Sequence, residues 1–178
     1  MTPTSTSVDI CVGTIVFTDL VGFTEFNDVV GDQEALAVLD QQAAVANEVL
    51  GRSNHEARIV KELGDGLMMW FVSAPDAIAA AARFLGSLDR ARLGGSFPLS
   101  VRLGLHHGEA MERGNDLVGM TVNVAARISD LAGPGELLVS DEAIDAAAHE
   151  PPNCVFEPIG PVSVKGVHDP IWLQRLVT

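Results

Sequence analysis

The chain has 178 residues, 47% of them hydrophobic, and a formal net charge of −13. That length and composition specify one globular domain with a sizeable core and exclude a disordered chain. The charge excludes nucleic acid and an anionic membrane surface as partners, and it requires any phosphate-bearing substrate to arrive with its own divalent cation and to meet locally placed Lys or Arg.

Residues 1–9 read as a short polar N-terminal segment and residues 10–178 as the domain. Residues 1–8 are too short and polar for an ordinary signal peptide, and Arg83 interrupts the Ala-rich stretch that would otherwise approach a membrane span. Cys11 and Cys154 sit in apolar runs at a spacing that matches no zinc or redox motif. They are expected to be buried thiols of a soluble protein in a reducing cytoplasm.

The first predicted strand covers residues 10–18. It runs into Val16-Phe17-Thr18-Asp19-Leu20-Val21-Gly22-Phe23-Thr24, a carboxylate followed by a glycine-containing turn. Asp19 can hold a hard divalent cation there, while the N–H groups of the turn, Phe23 and Thr24 included, face phosphate oxygens. Taken singly, an Asp after a strand is usually a cap or turn former. Its obvious partner is Asp65 in Lys61-Glu62-Leu63-Gly64-Asp65-Gly66, which reads as a hairpin turn between strands at 57–63 and 67–72. If strands 10–18 and 58–63 are sheet neighbours, the two aspartates converge.

Between them, Gly31-Asp32 opens a helix with apolar positions Leu36, Leu39, Ala43, Ala46 and Leu50. Ser73 is an expected N-cap, with Asp76 completing a capping box, for a helix packed through Ile78, Ala81, Leu85 and Leu88 and stopped by Gly94-Gly95. A strand over 99–104 continues through His106 and His107. Adjacent residues of a strand face opposite sides, so these histidines read as structural. A connection over 110–115 leads to Asp116 and to a helix over 119–131, whose stripe is Met120, Val124, Ile128 and Leu131, with Asn123 and Arg127 one turn apart on a neighbouring edge. Gly133-Pro134-Gly135 ends it. A strand at 136–139, a short helix over 143–148 capped by residues 140–142, and strands at 154–159 and 171–176 complete the chain, with Lys165 between the last two. The order strand, helix, strand, strand, helix, strand is the ferredoxin-like βαββαβ pattern of an α+β fold, extended at the C-terminus.

Five separated segments decide what this pattern resembles: Phe17-Thr18-Asp19-Leu20-Val21-Gly22-Phe23-Thr24, Lys61-Glu62-Leu63-Gly64-Asp65-Gly66, Arg102-Leu103-Gly104-Leu105-His106-His107-Gly108, Asp116-Leu117-Val118-Gly119 and Thr121-Val122-Asn123-Val124-Ala125-Ala126-Arg127. In this order they closely resemble the class III nucleotidyl cyclase catalytic domain, over residues 12–176. The resemblance implies that Asp19 and Asp65, with the backbone carbonyl of Leu20, hold two divalent cations, Mg²⁺ or Mn²⁺. Arg127 then matches the residue that stabilises charge on the α-phosphoryl group, Asn123 the one that positions the ribose, and Arg102 and Lys165 those that grip the triphosphate.

On the same resemblance Lys61 and Asp116 read the base. Adenine offers an acceptor at N1 and a donor at N6, which a Lys and an Asp complement, whereas guanine would leave both contacts like-to-like. ATP is therefore the expected substrate and 3′,5′-cyclic AMP the product. The resemblance further implies a homodimer with two shared sites, the metal aspartates coming from one subunit and the base-reading and transition-state residues from the other. Residues 109–115 are shorter than the arm of many family members, and the run after Lys165 lacks a second Lys often seen there. The alternatives are a guanylyl cyclase and a catalytically silent nucleotide-binding regulatory module, although Asp19, Asp65, Asn123 and Arg127 are all present.

Overall fold

The computed structural model describes residues 9–147 and 154–177. Strand β1 (Asp9–Val21) starts at the last residue of the polar segment and runs past Asp19, so that this carboxylate lies inside the strand near its end. One residue, Gly22 with φ 79°, then turns the chain directly into α1 (Phe23–Val30). The sequence reading placed only a turn here. The helix has eight residues and no fully buried side chain, too little to leave a periodic signal.

In α2 (Asp32–Leu50) the buried stripe is Ala35, Val38, Gln42, Ala46 and Val49. Ala46 is buried as expected, the other four positions of the stripe are displaced by one, and Leu36 is 57% exposed. Strands β2 (Ala57–Leu63) and β3 (Gly66–Phe71) are joined by Gly64-Asp65, with Gly64 at φ 67°. Helix α3 (Ala74–Leu93) is N-capped by Ser73, whose hydroxyl accepts from the Asp76 N–H. The Asp76 carboxylate takes the N–H groups of Asn54 and His55, tying down the loop before β2 instead of closing the capping box.

Strand β4 (Ser100–Arg113) is longer than expected. The supposed connection over 110–115 is mostly strand, and it turns at Gly114-Asn115 into β5 (Asp116–Val118). In α4 (Met120–Leu131) the buried set is Thr121, Val122, Val124, Ala125, Ile128 and Ser129, while Met120 and Leu131 are exposed. Strand β6 (Leu137–Ser140) leads into α5 (Asp141–Ala146), capped by Ser140; the expected end of this helix at residue 148 lies outside the described residues. Strands β7 (Val155–Val162) and β8 (Ile171–Val177) form the last antiparallel pair. The thiols of Cys11 and Cys154 are half-buried, not buried; that of Cys11 donates to the Ala110 carbonyl at the sheet surface. Among the described residues no helix is long and apolar enough to cross a membrane.

The strands form one sheet in the order β2-β3-β1-β4-β6-β8-β7, with β5 paired to β4. The first four strands have the ferredoxin-like arrangement, and β6, β8 and β7 extend it past β4 as the sequence order implies. Strands β1 and β2 are not neighbours, because β3 stands between them. All six residues of β3 are buried and need a partner on each edge, whereas the half-buried β2 tolerates the rim.

Alternation along β1 divides the core. Val16 and Leu20 join the cluster under α2 and α3, and Ile15 and Phe17 join Met68, Trp70, Leu117, Val122 and Ala125 under α4. Asp19 has the parity of Phe17. Helix α4 can lie this close to β4 only because residue 104 is Gly: a Cβ there would collide with the backbone of Ile128 and Ser129.

Gly104→Ala is expected to destabilise the fold by about 1–3 kcal/mol through overpacking, because neither backbone can give way. Gly108→Ala should cost less, since its added methyl would meet a side chain, that of Thr121, at 2.7 Å, and no backbone atom as near. Urea denaturation of both variants checks this, and a Gly104→Ala change within about 0.5 kcal/mol of the parent would contradict the close crossing.

Candidate active site

Three groups of the expected residues emerge, the first of them on the β1–β3–β4 framework. In the first, Asp19 of β1 stands directly opposite Arg102 of β4, and the Arg102 Nε donates to Asp19 Oδ2 at 2.7 Å. The guanidinium also donates to the Asp130 carbonyl, at 3.1 Å, near the end of α4. Asp65 reaches this point through β3. Leu67 pairs with Thr18, and its N–H donates to the Thr18 hydroxyl, which also accepts from Gln42 Nε2 of α2. Gly66 makes the approach possible, because a Cβ would lie 2.5 Å from the Thr18 carbonyl oxygen.

The two carboxylates act on each other's surroundings at this point. Partial burial raises the Asp65 pKa, its own backbone N–H opposes this, and the negative charge of Asp19 raises it further. Arg102 and the Leu20 backbone act in the opposite sense. Two hard oxygen donors with imperfectly met negative charge are a donor set that fits a divalent cation. Beside them α1 begins at Phe23. The first intrahelical backbone bond there runs from Phe26 to Gly22, which leaves the N–H groups of Phe23 and Thr24 without helical acceptors.

The second group comprises Asn123, Arg127 and Lys165, all exposed, which line one groove with Met120, Ala126 and Gly166. Among the described residues Arg127 makes a single long ion pair, with Asp130 at 3.4 Å between two exposed side chains, so its guanidinium is available to another anion. The third group is an ion pair across a gap: Lys61 of β2 lies 2.8 Å from Asp116 of β5. Donation from Lys61 holds the Asp116 carboxyl below the usual range, so the pair persists from neutral pH well into the acid range. No residue of the Asp19–Asp65 cluster lines the groove of Asn123, Arg127 and Lys165.

The chain matches the family model of the adenylate and guanylate cyclase catalytic domain over residues 7–174. It belongs to that family. A pH-sensitive adenylate cyclase of Mycobacterium tuberculosis is 29% identical over 92% of this chain and 40% of its own length, so the domain spans well under half of that relative. Two solved structures share the fold. The adenylyl cyclase CyaB of P. aeruginosa superposes with a TM-score of 0.84 at 20% identity, over 97% of this chain and 96% of that one. The guanylyl cyclase Cya2 gives 0.78 at 24% identity, over 95% and 93%.

His106 and His107 take separate hydroxyl partners in this cyclase domain, Ser140 and Thr14, as the structural reading requires, and burial lowers both pKa values. The sequence reading did not single out Thr18 and Gln42. Their signals are a hydroxyl just before Asp19 in an apolar strand and an amide in the stripe 35, 38, 42, 46, 49.

Asp65→Asn is expected to raise the melting temperature at neutral pH in metal-free buffer. The folded pKa of Asp65 lies above its ordinary 3.8, so the ionised form is the disfavoured one, and its cost is complete above the folded pKa. The gain should vanish as the pH falls toward the ordinary value. A lowered melting temperature at pH 7 would contradict this electrostatic account.

Proposed function

We propose that this domain is an adenylyl cyclase, converting ATP to 3′,5′-cyclic AMP and pyrophosphate in sites shared by two copies of the chain. The observation that carries the choice of ATP is the Lys61–Asp116 pair, a donor and an acceptor held side by side. A Lys has three N–H donors and a carboxylate several lone pairs, so each retains capacity for a base while bonded to the other. Lys61 donates to adenine N1 and Asp116 accepts from N6. Guanine would present a donor and an acceptor to like groups, leaving desolvated polar atoms unpaired. The adenylate cyclase name of the mycobacterial relative supports the same substrate.

Asp19 and Asp65, with the Leu20 carbonyl, would hold the two divalent cations, Mg²⁺ or Mn²⁺, which when bound acidify the ribose 3′-hydroxyl and offset the charge of the leaving pyrophosphate. The chain's own groups do the rest. Asn123 orients the ribose so that O3′ approaches the α-phosphorus in line. As that bond forms, O3′ gives its proton to solvent water and the bond from the α-phosphorus to the bridging oxygen breaks, with pyrophosphate carrying away the electron pair. Arg127 sits where negative charge grows on the α-phosphoryl oxygens, so it favours the transition state over the ground state. Arg102, Lys165 and the free amides at Phe23 and Thr24 hold the triphosphate.

A homodimer completes the arrangement, because the Asp19–Asp65 cluster and the groove of Asn123, Arg127 and Lys165 share no lining residue within one chain. The metal cluster of one copy would face the groove and the base-reading pair of the other.

Purified protein given ATP with Mg²⁺ or Mn²⁺ is expected to form cyclic AMP at a rate that rises faster than linearly with protein concentration. Lys61→Glu combined with Asp116→Ser should lower kcat/KM for ATP by about tenfold or more and shift the preference toward GTP. Preference of the parent for GTP would contradict the adenine reading. Nucleotide binding with neither product nor metal dependence would assign the domain to the regulatory class.

A further inference from the structure

Strand β2 carries an irregularity where the base-reading lysine sits. Ile59 pairs with Met69 and Lys61 with Met68, so Val60 is an extra residue that β3 does not match. Its effect follows from alternation. Arg58 stands opposite Trp70, and Trp70, Met68 and Val60 all pack in the cluster beneath α4, whereas Ile59 packs in the cluster on the other face. In a regular strand residue 61 would follow Ile59 and face away from β5. The bulge returns Lys61 to the face of Arg58.

Both cations therefore reach the β4–β5 hairpin. Arg58 donates to Glu112 Oε1 at 3.0 Å, and Lys61 to Asp116 at 2.8 Å. Glu112 pairs across the hairpin with Leu117, the residue that follows Asp116. Two ion pairs thus bridge one gap, each with partly sheltered side chains. Leu117 anchors the middle of the hairpin in the core, but β5 has three residues, pairs among the described residues with β4 alone and turns at Gly114 with φ 64°, so the flanking Glu112 and Asp116 are held to β2 by these ion pairs. A cavity lined by Arg58, Ile59, Val60, Glu112, Gly114 and Asn115 lies between the hairpin and β2, leaving room for it to shift. Arg58 also lies 3.7 Å from the exposed Glu56, on its own side of the gap.

We propose that Arg58 and Glu112 are positioning residues for base selection, clamping the β4–β5 hairpin to the bulged strand so that the Lys61 donor and the Asp116 acceptor keep the spacing that adenine requires. The inference rests on the adenine-reading role given to Lys61 and Asp116 above. Neither Arg58 nor Glu112 contacts the nucleotide in this scheme. Their influence passes through the hairpin, so it falls on nucleotide binding and discrimination and spares the chemical step.

Kinetics with ATP and GTP on Arg58→Ala, Glu112→Ala, Arg58→Lys and the charge-reversed double variant Arg58→Glu/Glu112→Arg test this, with melting temperatures measured alongside. Each alanine variant is expected to raise KM for ATP about three- to fivefold, the range open to a partly exposed ion pair, with kcat within about twofold of the parent and the ATP-to-GTP ratio of kcat/KM reduced by a similar factor. Arg58→Lys should retain most of the parent's discrimination, and the charge reversal should restore it relative to either reversed charge alone. Unchanged KM and nucleotide ratio in the alanine variants would overturn the inference. So would an equal loss of kcat with both nucleotides that tracks the melting temperature, the mark of a merely structural pair. A parent enzyme that prefers GTP, or cyclises neither nucleotide, would overturn the adenine reading itself, so the parent's own activity tells the two failures apart.

Discussion

The candidate site depends on one close approach, that of the β2–β3 turn to the end of β1. The Thr18 hydroxyl accepts from the Leu67 N–H and from Gln42, which fixes both the register of β3 on β1 and the seat of α2 behind it. Gly66 permits the contact by having no side chain. Asp19 and Asp65, 46 positions apart in sequence, thereby become electrostatic neighbours, the charge of Asp19 disfavouring ionisation of Asp65. A hydrophobic strand end would be more stable here. The fold sustains the charged pair with Arg102 and backbone amides, the usual trade of stability for function.

The rest of the site follows from the same framework. Arg102 faces Asp19 because β4 is in register with β1, and it reaches the end of α4 because that helix crosses β4 at Gly104. The crossing in turn presents Asn123 and Arg127 to solvent while Val124, Ala125 and Ile128 are buried. With a net charge of −13, the protein attracts an anion only where such local cations stand. That so many of them stand exposed, at Arg127 and Lys165, fits a surface completed by a second copy of the chain.

Much of this was legible in the sequence, for reasons that can be named. Asp19, Asp65, Lys61, Asp116, Asn123 and Arg127 were singled out by the order of five segments taken together and not by any one motif, and the βαββαβ order followed from periodicity. What escaped was set by tertiary context. The placement of β3 between β1 and β2 is decided by which strand buries both faces. Leu36, Met120 and Leu131 are apolar at helical spacing yet exposed, because the packed face falls on Ala35, Val38 and Val49 in α2 and on Val122, Val124, Ala125 and Ile128 in α4. Helix α1 was missed because eight residues with no buried side chain carry no period. The bulge at Val60 leaves no trace in composition, although it turns Lys61 to the face where Asp116 waits.

The central claim is that each site is assembled from two chains, and subunit complementation tests it most directly. Asp65→Ala lacks one half of the site and Asn123→Ala the other, so each should be inactive alone. Mixed under conditions that exchange subunits, they should recover about a quarter of the parent activity, since half of the dimers would be mixed and each would hold one intact site of two. Activity that stays at the level of the single variants, with subunit exchange verified, would contradict a shared site.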